Sequence, residues 1–451
     1  MSEQGYGSLT NAELISERRR AFWGQALANL FDFYDLSLIL SLGAIISLVF
    51  LPKSIPPLVA FLTILIGYAV SSVARPIGAA IFGNFSDKVG RKNSIFITAM
   101  GFGILGVIFT VMPTYGQIGI AAYGLFLILR FILGIFAGGE VAGGLPLAME
   151  WYEKRKRGYI SGAIYAVQGI GTAFAGIPVL VLTIVLGEHA MVAYGWRIVY
   201  LTGAAPIFFA LYVRFFVKDS GVAAEGRKKL KEIKKSAIGE LFRQKEYRKR
   251  FFQAMLVSTG GFLAAFTALP YTLTILESTT SKFSHIPATA LYIIGVVGGL
   301  MLIPWGWSIL SQRVGRRKLG MIGGVITTLL GILGFYLLYR SSLIGNFYLA
   351  ALASIFLLFL GEHNWGMIAA YLSERFPTYI RSVGSGFGYS AGLFISAWTA
   401  IYLLILLKPL RPFEGSSDWL AAGILLTLGG ILWIIGFYLG PETREVNLQN
   451  A

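Results

Sequence analysis

Asn84 to Asn93 reads "NFSDKVGRKN", and Leu310 to Leu319 reads "LSQRVGRRKL". Aligning Gly90 with Gly315 superposes Ser86, Val89 and Arg91 on Ser311, Val314 and Arg316. A second pair of strings, "EWYEKRKRGYISG" and "ERFPTYIRSVGSG", matches at nearly the same offset and sets Glu150, Arg157, Ser161 and Gly162 on Glu374, Arg381, Ser385 and Gly386. Two matches at one offset predict two related halves, each carrying one copy of a short basic loop.

Each phrase stands between apolar runs of about 20 residues or more, the length that crosses roughly 30 Å of hydrocarbon as a helix. About twelve such runs follow one another, the first from Ala21 to Phe50 and the last from Leu420 to Leu439. They show no alternation, and lipid admits only helices or closed barrels, so the fold class is all-α, a polytopic membrane protein. With 56% hydrophobic and 13% charged residues, a soluble fold of this size could not cover itself with polar surface.

The net charge of +16 would suit a nucleic-acid binder, but its distribution describes topology instead. Lys88, Arg91 and Lys92, then Lys154 to Arg157, then the stretch from Lys218 to Arg250, then Arg313 and Arg316 to Lys318 fall in alternate loops. The intervening loops, such as "PTYGQIG" and "RSSLIGN", are nearly free of basic residues. The positive-inside rule puts the basic loops and both termini in the cytoplasm of a cell-membrane protein. The expected organisation is a cytoplasmic segment 1–20 with no cleavable signal pattern, a six-helix half 21–217, a basic linker 218–250, a second six-helix half 251–440 and a cytoplasmic tail 441–451. The linker reads either as an amphipathic helix on the inner membrane face or as a solvated connector.

Several classes drop out. The absence of cysteine removes disulfides and thiolate metal sites, and 3 histidines leave little for an imidazole cluster, so no metal and no cofactor is expected. No "GxxxxGK" phosphate loop is present and no polar segment is large enough for an ATPase domain. A channel would want a repeated filter or a ring of like charges. An enzyme would want a clustered catalytic set. What remains is a carrier of a small-molecule substrate, embedded in the bilayer, expected to work as a monomer without nucleic acid; that it also moves protons is what the resemblance described next implies.

The string "GNFSDKVGRK" resembles the loop signature of the major facilitator superfamily at Gly83, Asp87, Lys88, Gly90 and Arg91. Four further strings, "FDFYD", "RPIGAAIFG", "RFILGIFAGGE" and "ERFPTYIRSVGSGFGY", resemble its metabolite:proton symporter group, whose members carry organic acids and osmolytes. The "PETR" tail is similar to that of sugar porters. The chain departs from the group at Asp32 and Phe33, where Glu and Trp are usual, and at Gln312, where the second loop copy lacks an acid. The resemblance implies the major facilitator fold and proton-coupled symport by alternating access. An exporter or antiporter of the same fold, or a sugar, betaine or proline symporter, stands as the alternative. It also implies a cytoplasmic gate built from Gly83, Asp87, Gly90, Arg91, Glu150, Arg157, Arg316, Glu374 and Arg381. Asp87 is expected to pair with Arg91 or to sit at the positive end of a neighbouring helix. The alternative is that the basic residues only set topology.

A charge at the bilayer centre costs about 2.5 to 3.5 kcal/mol on insertion scales, so buried ionisable residues face a cavity or a partner. Asp32 and Asp35 lie one turn apart in the first run, Arg75 in the second, Arg130 and Glu140 in the fourth, and Glu362 with His363 in the tenth. The resemblance puts the first and fourth helices around a central cavity, which makes Asp35, Asp32 and Arg130 the proton-coupling candidates. A permanent structural bridge between Asp35 and Arg130 is the other reading. Arg75 reads as a packing or gating residue and Glu140 as a helix-packing one. Arg130, Gln168, Tyr271, Glu362, His363 and Trp365 are the candidates for the substrate cavity. If Arg130 and His363 offer positive charge there, the guest is a carboxylate; if Asp35 neutralises Arg130, it is a zwitterion.

Overall fold

A computed structural model describes residues 9–233, 236–278, 280–414 and 419–448. The first residues of the N-terminal segment, the end of the tail and two linker positions therefore lie outside the described residues. Among the described residues every regular element is helical. That follows from the solvent, because a backbone in hydrocarbon must satisfy its own hydrogen bonds.

The helices that build the spans of the first part include α1 (Asn11–Phe50), α2 (Pro57–Val89), α3 (Arg91–Thr110), α4 (Ala121–Trp151), α5 (Arg157–Phe174) and the shorter α6 (Ala205–Phe216). A linker helix, α7 (Gly221–Ile233), follows. Then come α8 (Lys245–Leu276), α9 (Ile286–Val314), α10 (Arg316–Ile344), α11 (Phe347–Glu374), α12 (Thr378–Leu407) and α13 (Trp419–Tyr438). Among the described residues ten stretches are long and apolar enough to cross a membrane, and α1 adds one as a pair, Asn11–Ile39 and Ser41–Phe50, bent by 56°. The stretch Arg157–Phe216 is 60 residues long and contains Gly187 at φ 79. As a straight helix it would run about 90 Å, so it holds two spans. The total agrees with the count of apolar runs in the sequence.

α1 starts before the membrane. Thr10 and Glu13 cap it reciprocally, the Thr10 side chain accepting from the Glu13 amide and Glu13 accepting from the Thr10 amide at 2.8 Å. The two copies of the loop phrase share one backbone. Gly90 ends α2 at φ 128, ψ 152 and Gly315 ends α9 at φ 101, ψ 144, and each is followed at once by the next helix. Both conformations belong to glycine, which accounts for its presence in both phrases.

Contacts divide the chain into two compact units. The first takes in the chain up to Trp151, Ile170–Glu240 and Thr378–Phe387. In it α4 crosses α2 at close range: a Cβ on Gly134 would lie 2.1 Å from the Ser71 carbonyl, and one on Gly138 2.0 Å from that of Arg75. Small residues four apart let two helix backbones touch where the hydrophobic effect offers no drive. α7 packs Val222, Ala223, Gly226 and Leu230 inward and leaves Lys228, Lys229 and Lys231 exposed, with Gly226 against Thr378. The second unit takes in Tyr152–Gly169, Leu241–Pro377 and the chain from Gly388 onward. Here α13 lies against α8 and α10 through Gly429 and Gly430, which face Gly260 and Gly324.

Candidate functional site

In the first unit α1 presents two carboxylates one turn apart, and each meets its own guanidinium. Arg75 on α2 grips Asp32 with two parallel bonds, Nη1 to Oδ2 at 2.7 Å and Nη2 to Oδ1. Arg130 on α4 donates to Asp35 Oδ2 at 2.7 Å and to the Tyr200 hydroxyl at 3.2 Å. The Arg130 guanidinium also lies over the rings of Phe109 and Phe126, at 5.1 and 5.5 Å. The side chain of Asp35 is 11% exposed and that of Asp32 4%, so of the two acids Asp35 is the more reachable. Glu140 is buried close to the Asp32–Arg75 pair, with Oε1 unpartnered.

In the second unit the cavity candidates separate into two groups. Tyr165 of α5 donates its hydroxyl to Glu362 Oε2 and also bonds Gln168. The Trp365 ring stacks parallel to Tyr165 at 6.5 Å and meets Phe262 and Tyr389 at 4.6 and 5.6 Å. Gln168, Glu362 and Trp365 thus gather around Tyr165. His363 turns elsewhere: its Nδ1 meets the Phe359 carbonyl at 2.7 Å, and its ring lies among Trp307, Phe359 and Trp433. Tyr271 stands further along α8, half-buried.

The residues of the duplicated phrases form two matching networks, one in each unit. In the first, Glu150 accepts from Arg91 at 3.0 Å, Arg381 at 2.8 Å and Ser220 at 2.8 Å. In the second, Glu374 accepts from Arg316 at 2.6 and 2.8 Å, Arg157 at 3.5 Å and Thr443 at 2.8 Å. Each third helix is capped by an acid from beyond the sixth: Asp219 accepts the Lys92 amide at 2.9 Å, and Glu442 accepts the Arg316 and Arg317 amides at 2.8 and 3.1 Å. The tail is pinned further by Lys154, which donates to Glu445 at 2.7 Å and holds that carboxyl below its usual range.

The copies differ at the acid of the phrase. Asp87 pairs with Arg91 at 3.1 Å and accepts the backbone amides of Ser382 and Val383 at 3.0 Å each, capping the start of α12. A Cβ on Gly83 would fall 2.8 Å from the Val383 Cα, so glycine is what lets α2 reach that helix start. Gln312 packs against Gly158 at the start of α5, and its Nε2 has no partner.

Sequence reasoning passed over Tyr165, Tyr200, Asp219, Glu442 and the role of Arg75 as the partner of Asp32. A signal existed for one pair: Asp219-Ser220 and Glu442-Thr443 are both an acid followed by a hydroxyl, at nearly the repeat offset.

A model of the Major Facilitator Superfamily matches residues 26–395. The chain is 29% identical over 443 residues to the inner membrane metabolite transport protein YhjE of Escherichia coli strain K12, covering 96% of each. It is 28% identical over 440 residues to the glycine betaine/proline/ectoine/pipecolic acid transporter OusA of Dickeya dadantii strain 3937, covering 96% of this chain and 85% of that one. Among solved structures it is similar in fold to the proton:xylose symporter XylE bound to 6-bromo-6-deoxy-D-glucose, with a TM-score of 0.70, 18% identity, and coverage of 96% and 98% of the two chains.

Proposed function

We propose that this chain, which belongs to the major facilitator superfamily, is a proton-coupled symporter of a small polar metabolite that works by alternating access. The observation that carries the reading is the Asp35–Arg130 pair, buried in a spanning helix bundle, with the carboxylate as its more exposed member. A proton on Asp35 cancels the charge that holds Arg130, so protonation and rearrangement of the pair are one event. Arg130 also donates to the Tyr200 hydroxyl, a bond that does not depend on the charge of Asp35. Asp32, held by two bonds and less exposed, serves as the structural counter-ion of Arg75.

The two glutamate networks and the Asp87 cap are the cytoplasmic gate. They involve the basic loops that the positive-inside rule assigns to the cytoplasm, and the same rule puts both termini there. The two six-helix halves, 21–217 and 251–440, move as the sequence repeat suggests, with the 218–250 linker joining them. Both candidate sites are completed by one chain, which supports a functional monomer.

For the substrate, an anionic guest would need a cation free to receive it. Arg75 and Arg130 each already hold a carboxylate, and His363 is enclosed by aromatic rings. A guest of no net charge, such as a betaine or proline, fits this inventory, and relatives bearing those names support it. The organic-acid reading requires Arg130 to leave Asp35 for the guest, which protonation of Asp35 permits. Competition separates the two. In proteoliposomes under an inward proton gradient, uptake of labelled proline is to be inhibited by betaine and not by mono- or dicarboxylates. Inhibition by carboxylates, weakened by Arg130→Lys, would favour the organic acid, since a point charge cannot reproduce the guanidinium fork.

A further inference from the structure

Arg75 and Arg130 of the first unit are balanced by the two aspartates of α1. Glu362 in the second unit has no such balance. It lies at the end of the regular part of α11, just before the turn His363–Met367, and is fully buried. Among the described residues no lysine, arginine or histidine side chain pairs with it. The titratable groups that face it are phenols: Tyr165 of α5, which bonds Oε2, and Tyr292 of α9 within electrostatic reach. Behind Tyr165 stand Gln168 of α5 and Tyr389 of α12, again without a fixed charge. His363, next in the chain, spends Nδ1 on the Phe359 carbonyl and turns its ring toward Trp307 and Trp433. The second carboxyl oxygen, Oε1, is buried and has no partner.

An ionised carboxylate placed there would be a bare charge in the protein interior, met by one phenol hydrogen bond alone. A protonated carboxyl is neutral, keeps the Tyr165 bond on Oε2 and places its own O–H on the oxygen that lacks a partner. Glu140, also buried with one unpartnered oxygen, differs because charged groups stand near it, the Asp32 carboxylate and the Arg75 guanidinium that Asp32 already pairs with.

We propose that Glu362 is a second proton-carrying group, so that each transport cycle moves one proton on Asp35 and another on Glu362. This rests on the proton-coupled reading above and extends it to the stoichiometry. The step is a proton transfer only: an O–H bond forms at Oε1 from a hydronium on one side of the membrane, and the same bond breaks to water on the other. Tyr165 is a positioning residue, holding the carboxyl so that Oε1 faces away from the phenol.

The purified transporter in lipid tests the protonation first, without any substrate. Its infrared spectrum at neutral pH is to contain a protonated-carboxyl stretch that disappears in Glu362→Gln, and that shifts in Tyr165→Phe as the hydrogen bond to it is lost. The second test is coupling. In proteoliposomes with the membrane potential clamped at zero, proline as the probe is to reach an accumulation ratio that rises about 100-fold per unit of pH difference for wild type. The ratio is to rise about 10-fold per unit for Glu362→Gln, one factor of ten for each proton. A cooperative thermal unfolding transition establishes that the variant is folded. No protonated-carboxyl band assignable to Glu362 overturns the proposal, and so does a band with an unchanged slope, because the proton is then held and not carried. A wild-type slope of about 10-fold overturns it as well, as does loss of slope in Glu140→Gln in place of Glu362→Gln. Accumulation that ignores the proton gradient in wild type refutes the symport reading itself, a result distinct from all of these.

Discussion

Replacing Asp87 by alanine removes the acceptor of two backbone amides, those of Ser382 and Val383 at 3.0 Å, at a carboxylate with no exposed surface. A buried donor left without an acceptor costs about 1–3 kcal/mol, so the two together cost about 2–6 kcal/mol. Arg91 retains Glu150 and the Thr378 carbonyl, both at 3.0 Å, so losing its pair with Asp87 adds little. Taking about 3 kcal/mol, the balance between this closed arrangement and one in which the start of α12 has left α2 moves by about 10²-fold. The chain has no cysteine, so a single Ser385→Cys, at a site buried here, reports the change without background. Labelling by an impermeant thiol reagent applied to inside-out vesicles is to rise about 10²-fold in Asp87→Ala. Gln312→Ala in the same background is to stay within roughly twofold, the range of a substitution that removes no satisfied group. Equal effects from the two variants would refute the reasoning, because the acid would then not be what distinguishes the copies.

Asp32→Asn leaves Arg75 as a buried cation and is to cost about 3–5 kcal/mol of stability, most of it recovered in the double variant Asp32→Asn/Arg75→Gln. Thermal unfolding in detergent measures this, and a double variant as unstable as the single would show that the pair is not the cause. Glu442→Ala takes the acceptor from the amides of Arg316, Arg317, Thr443 and Arg444, and is to cost about 1–2 kcal/mol in the same assay. Glu442→Gln keeps an acceptor and is to lose less, whereas an equal loss would mean that the charge at the helix start matters more than the hydrogen bonds.

The fold was legible because lipid reduces the choices to helices or a closed barrel, and the runs show no alternation. Run length alone separates the spans, and the repeat at Gly90 and Gly315 carries its own backbone requirement, positive φ in both copies. The ion pair Asp35–Arg130 could be anticipated because buried charges need partners and few were available. The partner of Asp32 was less visible: "RPIGAAIFG" places an arginine before a proline, which suggests packing, and only the close crossing of α2 and α4 at Gly134 and Gly138 sets Arg75 beside α1. Glu362 and His363 were indistinguishable as neighbours in one string. The short turn His363–Met367 separates them, sending one to Tyr165 and the other into aromatic packing. The cap from Glu442 was hidden because its acid lies far along the chain from the amides it serves, and a tail of this composition reads as solvated.

The central claim, that Asp35 carries a coupling proton, is tested most directly by proline uptake into proteoliposomes under an imposed inward proton gradient, comparing wild type with Asp35→Asn. An amide can hold a hydrogen bond to Arg130 but cannot carry the proton. Asp35→Asn is therefore to lose the proton that Asp35 carries, its accumulation ratio rising about 10-fold per unit of pH difference in place of about 100-fold, while it still exchanges internal for external proline. Accumulation at the wild-type rate in Asp35→Asn would contradict the account.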